Sequence, residues 1–297
     1  RNICRNKTKL INSSNPESNI PYWIKDDWIK NFGECEAKKI SMLSSSKPPM
    51  DIKIKKKKFH DMDWEKILNG RNIFNRTIRL HKTDKVSDLP YFKEGFWWVQ
   101  SVSASIPVDL IISLYKDASR SKVKILEIGS APGGKTFQLC EESFDTTSVE
   151  ISKKRLLTLK ENLKRLKLKT NIIHSDILDC SFKEKFDCIL IDAPCSASGI
   201  LSKKPEILLK KKKILKELLA KQNRILDKAR GFLKPNGIII YVVCSILSAE
   251  GPEQITRFIK DNDSFKIKRI KKTMVNNFKG ELKNGMLTIK PNHYMDQ

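Results

Sequence analysis

From Val123 onward, short apolar runs alternate with longer stretches in which apolar residues recur every three or four positions. Val123–Ile128, Thr146–Ile151, Asn171–His174, Cys188–Ile191 and Gly237–Val243 are brief and β-rich, as buried strands are. Lys153–Leu168 and Lys211–Phe232 carry the clearest helical spacing. This alternation predicts an α/β fold with a parallel sheet covered by helices on both faces, because parallel neighbours need a crossover and a helix supplies it.

Upstream the rhythm differs. Trp97–Lys116 reads as a helix entering the main domain. Residues 50–95 mix strand-like pieces (Asp51–Lys57, Thr77–Leu80) with a helical piece around Asp63–Leu68, a small α+β unit. Residues 1–45 are polar with scattered apolar positions, and Asp26–Phe32 predicts a short helix with acidic residues in its first turn. Ser44-Ser45-Ser46-Lys47-Pro48-Pro49 has linker composition. The chain therefore divides into an N-terminal helical segment (1–45), a small α+β unit (46–95) and the main domain (96–297).

Composition narrows the function classes. No apolar run among the 297 residues approaches the ~20 needed to span a bilayer, and no signal-peptide pattern is present. The seven cysteines (4, 35, 140, 180, 188, 195, 244) are odd in number and scattered, without a C-x-x-C pair, and the four histidines (60, 81, 174, 293) do not cluster with them. Neither a metal site nor a disulfide framework is expected, and a reducing cytoplasm is. The net charge of +24 points toward a polyanion. Lysine outnumbers arginine 46 to 12, however, and an AT-rich genome gives that bias without selection for binding. The runs Lys55–Lys58 and Lys210–Lys213 read individually as solvated faces.

The candidate chemistry lies at the strand ends. Gly129-Ser130-Ala131-Pro132-Gly133-Gly134-Lys135-Thr136 follows the first strand of the main domain and opens a helix, the architecture that binds nucleotide-like ligands at the carboxyl edge of a sheet. The loop is neither G-x-x-x-x-G-K-[ST] nor G-x-G-x-x-G, and alone it equally suits a tight turn. Glu150 closes the second strand, where an acid typically accepts from ribose hydroxyls, and Asp176 follows the third. Together they favour an adenosine moiety without a triphosphate. Asp192 ends the fourth strand with Cys195 in the same turn, and Cys244 ends the fifth. Adjacent parallel strands lie ~5 Å apart, so both thiols can face one pocket. Cys140, Cys180 and Cys188 instead read as small core hydrophobes.

In this order the motifs resemble the Sun/Fmu family of RNA 5-methylcytosine methyltransferases (RsmB-like in bacteria, with Nop and Nsun relatives in eukaryotes). The matching stretches are Ala131–Thr136, Val149–Leu156, Asp192–Gly199, Tyr241–Ser245 and Glu250–Ile255, within a similarity spanning roughly residues 90–297. The resemblance implies a Rossmann-like methyltransferase sheet and S-adenosylmethionine as methyl donor. Residues 129–135 would hold its methionine end, Glu150 its ribose and Asp176 its adenine edge. Cys244 would add to cytosine carbon 6 and Cys195 would assist release. Asp192, also placed among the cofactor contacts, would stabilise the activated ring near N3 and the exocyclic amine, and Lys135 would orient the substrate or its charge. The target base would be splayed out of its stack. Ribosomal RNA is the leading substrate and transfer RNA the alternative; a ribosome-assembly factor that binds RNA with little turnover is the non-enzymatic reading. A DNA cytosine methyltransferase fits less well, since those enzymes use the Pro-Cys thiol as nucleophile. A monomer without membrane or metal partners is expected.

Val243, Glu127 and Ser101 stand where the family usually has threonine, aspartate and aspartate. The chain begins at Arg1 and stops at Gln297, just before the family's closing strand. The last strand of the sheet is therefore expected to be missing.

Overall fold

A computed structural model of the chain describes residues 16–82, 85–274 and 278–294. Positions 1–15, which include Cys4, lie outside the described residues, as does the final Gln297.

The main domain is built on five parallel strands, β5 (Lys124–Ile128), β6 (Asp145–Glu150), β7 (Asn171–His174), β8 (Phe186–Asp192) and β9 (Leu233–Val242), in the spatial order β7-β6-β5-β8-β9. Alternation along β5 sets the two faces. Ile125 packs with Cys188, Leu190, Val108, Ile111 and Leu139 on one side. Leu126 and Ile128 pack with Ile189, Ile191, Ile225, Leu226 and Phe258 on the other. The first face is covered by α3 (Val102–Leu114) and α4 (Gly134–Glu141), the second by α6 (Lys213–Arg230) and α7 (Pro252–Lys260). Helix α5 (Lys153–Leu166) buries Leu156, Leu159, Leu163 and Leu166 at its i, i+3, i+4 spacing. This is the expected α/β, Rossmann-like fold. Strand order reverses at β5, whose neighbours β6 and β8 diverge there, and the carboxyl edge at such a point is where open α/β sheets bind ligands. Glu281–Lys283 and Met286–Thr288 form a separate antiparallel hairpin.

The segment expected to be one helix from Trp97 is not. Trp97–Val99 is strand β4, and it pairs with β1 (Asp51–Ile54) in an antiparallel sheet completed by β2 (Gly70–Phe74) and β3 (Thr77–Leu80). Trp97 packs into the core of the small unit while Trp98 packs against Phe137 and α5. Two consecutive buried tryptophans imitate a helical run because the β4 edge is covered on both faces. The helix begins only at Val102.

The described part of the N-terminal segment packs onto the main domain. α1 (Tyr22–Phe32) and α2 (Glu34–Ser44) bury Ile24, Trp28, Ala37 and Ile40 against Ala197, Leu201, Ile207, Ile246 and Leu247. α1 starts one turn earlier than expected, so Asp26 and Asp27 fall outside its first turn. Asp26 pairs with Lys30 at 2.8 Å, and Asp27 accepts from the Ser248 hydroxyl at 2.8 Å. The small sheet docks as firmly. Arg76 meets Glu141 at 2.9 Å, Gln100 donates to Gln138 at 2.6 Å, and the Arg165 guanidinium donates to the carbonyls of Phe92 and Trp97 at 2.9 and 3.1 Å.

Candidate active site

The loop after β5 is shaped by close approach. Gly129 has φ +80°, and a Cβ there would lie 2.6 Å from the Asp192 carbonyl oxygen. Gly133, at φ +119°, leaves no room either, since a Cβ would meet the Phe137 ring at 2.2 Å and Leu159 at 2.7 Å. The Thr136 hydroxyl donates to Glu127 at 2.7 Å and to the Ser130 carbonyl at 3.3 Å, while Ser148 donates to Glu127 at 2.8 Å. Glu127 is buried, and burial pushes its carboxyl up to about 7 despite those hydroxyls and the nearby Lys135.

Glu150 stands at the end of β6 with both oxygens engaged. One accepts the Ala131 N–H at 3.1 Å and the other the Ser152 N–H at 2.9 Å, and the side chain is buried. It therefore holds the 129–135 loop to the end of β6. Asp176 accepts the Leu178 N–H at 3.0 Å and caps the short turn after β7. Each carboxylate retains acceptor capacity beyond these bonds. Lys135, the second residue of α4, reaches across the strand ends to Asp192 at 2.7 Å. Burial alone would lower the Lys135 ammonium, but Asp192, Glu127 and Cys244 outweigh it and leave its pKa raised.

The two cysteine loops converge beside this ion pair. The sulfurs of Cys195 and Cys244 are 3.2 Å apart. That is hydrogen-bonding distance for two thiols, far longer than the ~2.05 Å of a disulfide. The pair is not symmetric. The hydrogen bond from Cys195 lowers Cys244, opposed by burial and Asp192 and helped by Lys204 and Lys135. Cys195 is pushed up by the Cys244 sulfur, by burial and by Glu250. The surroundings therefore favour a thiolate at Cys244 over one at Cys195. Cys180 and Cys188 are core residues as expected, and Cys140 packs partly buried against the Leu159 cluster.

Several neighbours were given no role from the sequence, although Ser196, Ser198, Ser245 and Glu250 fall within the stretches that resemble the family. Lys210, read as part of a solvated run, donates to the Ser196 carbonyl at 3.3 Å, beside the Pro-Cys turn. Buried Ser196, Ser198, Gln222, Ser245 and Glu250 lie directly behind the thiols. A further hint is that a serine follows each of the two cysteines. Among the described residues, no cluster of three or more His, Cys, Asp or Glu could hold a metal ion, and no helix is long and apolar enough to cross a membrane.

The family model for 16S rRNA methyltransferase RsmB/F matches residues 116–297. Ribosomal RNA small subunit methyltransferase B of Shewanella oneidensis is 34% identical over 276 residues, covering 87% of this chain and 62% of that protein. The protein of the same name from Cronobacter sakazakii is 31% identical over 254 residues, covering 80% and 58%. The chain thus spans about three fifths of the length of the curated relatives it matches. Among solved structures, PH0851 superposes with a TM-score of 0.80 at 21% identity, covering 95% of this chain and 67% of that one. NSun6 from Pyrococcus horikoshii, solved with SFG, gives 0.71 at 17% identity, covering 91% and 93%. Those identities speak to the fold. With its glycine loop, its Asp-Ala-Pro-Cys turn and its second cysteine inside the matched region, this chain belongs to the RsmB/F family of 16S rRNA methyltransferases.

Proposed function

We propose that this chain is the catalytic part of an S-adenosylmethionine-dependent RNA methyltransferase that modifies carbon 5 of a cytosine in small-subunit ribosomal RNA. The observation that carries the reading is the asymmetric thiol pair, 3.2 Å apart, beside the Lys135–Asp192 ion pair at 2.7 Å.

The cradle suits the cofactor. Gly129 and Gly133 adopt backbone conformations that a Cβ would block, Glu150 braces the loop, and Asp176 and Asp192 stand at neighbouring strand ends on the same edge. Residues 129–135 would hold the methionine end, Glu150 the ribose and Asp176 the adenine edge. S-adenosylmethionine supplies an electrophilic methyl group on a sulfonium.

Carbon 5 of cytosine is a poor nucleophile until something adds to carbon 6. The Cys244 thiolate performs that addition, and the Cys195 S–H keeps it anionic until the base arrives. Asp192, held by Lys135, accepts a hydrogen bond from the exocyclic amine, and the Lys135 ammonium offsets the negative charge that builds near N3. After methylation the carbon 5 proton passes to solvent water, the carbon 6–sulfur bond breaks, and the sulfur leaves as the Cys244 thiolate with the Cys195 S–H donating a hydrogen bond to it. A reducing cytoplasm is the compartment this chemistry requires, since both thiols act reduced.

The test is methyl transfer from labelled S-adenosylmethionine to purified small-subunit ribosomal RNA, followed by bisulfite mapping. Cys244→Ala abolishes transfer and any covalent adduct, whereas Cys195→Ala accumulates a protein–RNA adduct. Accumulation by Cys244→Ala instead would reverse the roles, and transfer only to transfer RNA would replace the substrate.

A further inference from the structure

We propose that Glu250 is a positioning residue that fixes Cys195 against Cys244 by joining the two cysteine loops through one buried hydrogen-bond network. The proposal rests on the functional reading above and adds the device that sets the geometry of the thiol pair.

Glu250 precedes α7, shortly after Cys244 in the chain but far from Cys195, and it is fully buried. A buried carboxylate is costly unless several donors meet it. Three do. One oxygen accepts the Ser196 N–H at 2.8 Å and the Gln222 amide at 3.0 Å, and the other accepts the Ser196 hydroxyl at 2.5 Å. Gln222 also donates to the Pro194 carbonyl at 2.9 Å. Cys195 is thus gripped from both sides, through the carbonyl before it and the serine after it.

The network then crosses to the other loop. The Ser196 and Ser245 hydroxyl oxygens are 3.1 Å apart, and those of Ser198 and Ser245 are 2.9 Å apart. Ser198 accepts the Ile246 N–H at 3.1 Å, and the Gly199 N–H donates to the Cys244 carbonyl at 3.1 Å. The Tyr241 hydroxyl returns to the Glu250 carbonyl at 3.0 Å.

Charge gives the chain of hydroxyls its direction. An ionised carboxylate only accepts, so the single Ser196 proton points to Glu250. Ser245 can then donate to Ser196, and Ser198 to Ser245. The Gln222 Oε1 is buried without a partner among the described residues, a cost of about 1–3 kcal/mol. The fold tolerates it where the same amide's N–H groups serve both Pro194 and Glu250, the mark of a site arranged for geometry rather than stability. Glu250 bonds to Ser196 and Gln222, and the Cys195 sulfur takes the backbone N–H of Ala197 in its own loop, so Glu250 acts through the loops. Its charge also helps keep the proton on Cys195.

Glu250→Gln keeps the shape and removes the charge, leaving an amide N–H2 where acceptors are needed. The experiment is the pH dependence of Cys244 alkylation by iodoacetamide, resolved by peptide mass spectrometry on the full chain. Wild type, Glu250→Gln and Ser245→Ala are compared, with Cys195→Ala as the reference lacking the donor. A midpoint one pH unit higher cuts the thiolate about tenfold, and the higher intrinsic reactivity of a more basic thiolate restores about threefold, so the rate below the midpoint falls about threefold. That fall toward the Cys195→Ala value is expected in both variants, with near-ultraviolet circular dichroism unchanged. An unaltered midpoint in folded Glu250→Gln overturns the proposal; if that variant does not fold, an unaltered midpoint in Ser245→Ala does so. Methyl transfer is read separately. In an active enzyme, Glu250→Gln lowers kcat, leaves KM for RNA unchanged and accumulates adduct. Absence of methyl transfer by the wild type defeats the functional reading, while the alkylation profiles still decide the role of Glu250.

Discussion

Glu127→Gln should make the protein more stable at neutral pH, by an amount that depends on pH in a fixed direction. Glu127 is 1% exposed, and burial raises its carboxyl from an ordinary 4.5 to about 7. Between these values the unfolded chain releases this proton while the folded chain keeps it. Stability therefore falls as pH rises through that window and levels off above about pH 7. At about 1.4 kcal/mol per pH unit, the change between pH 5 and pH 8 is about 2.5 kcal/mol. Thr136 and Ser148 both donate to the same Glu127 oxygen, so a glutamine carbonyl can accept both and the substitution removes the charge without losing these bonds. Urea unfolding of wild type and Glu127→Gln at pH 5, 6, 7 and 8 isolates the effect, because every other titrating group cancels in the difference. The variant should gain about 2.5 kcal/mol relative to wild type across that range. A difference that stays flat with pH would mean that Glu127 is ionised throughout, and would refute the reasoning.

Gly129→Ala should cost about 2–4 kcal/mol in urea unfolding, because the added Cβ meets the Asp192 carbonyl at 2.6 Å in a left-handed conformation. The same variant should weaken S-adenosylmethionine binding in calorimetry, and unchanged affinity would separate the loop from the cofactor. Trp28→Ala, emptying a fully buried site between α1 and the cysteine loops, should cost about 3–5 kcal/mol. Asp27→Ala should cost about 1–2 kcal/mol through the lost Ser248 bonds, and an unfolding midpoint equal to wild type would show that this tie is solvated. In the wild type at neutral pH, iodoacetamide should modify Cys244 before Cys195, and the reverse order would place the thiolate on the wrong sulfur.

Periodicity alone located all five strands of the parallel sheet. β7 falls on Asn171–His174 as read, and β8 and β9 run longer than their apolar centres because partners extend them. It also set the order of the chemistry along the chain, since a glycine loop after one strand and thiols after two others are local facts. What local windows could not carry is contact across sequence. Trp97 and Trp98 read as helical until a distant strand, β1, claimed them as its neighbours. The acids of α1 read as a first turn until Asp27 found Ser248, 221 residues away. Glu150 and Asp176 kept their places at the sheet edge, but the folded backbone took up part of their acceptor capacity. The sequence by itself determined the sheet, the glycine loop and two cysteines at neighbouring strand ends. Only the tertiary structure decided that those sulfurs lie 3.2 Å apart, in surroundings that lower Cys244 and raise Cys195. That spacing is set by buried polar groups drawn from separate loops and helices, whose pairing becomes worth its desolvation cost only once the chain has closed around them.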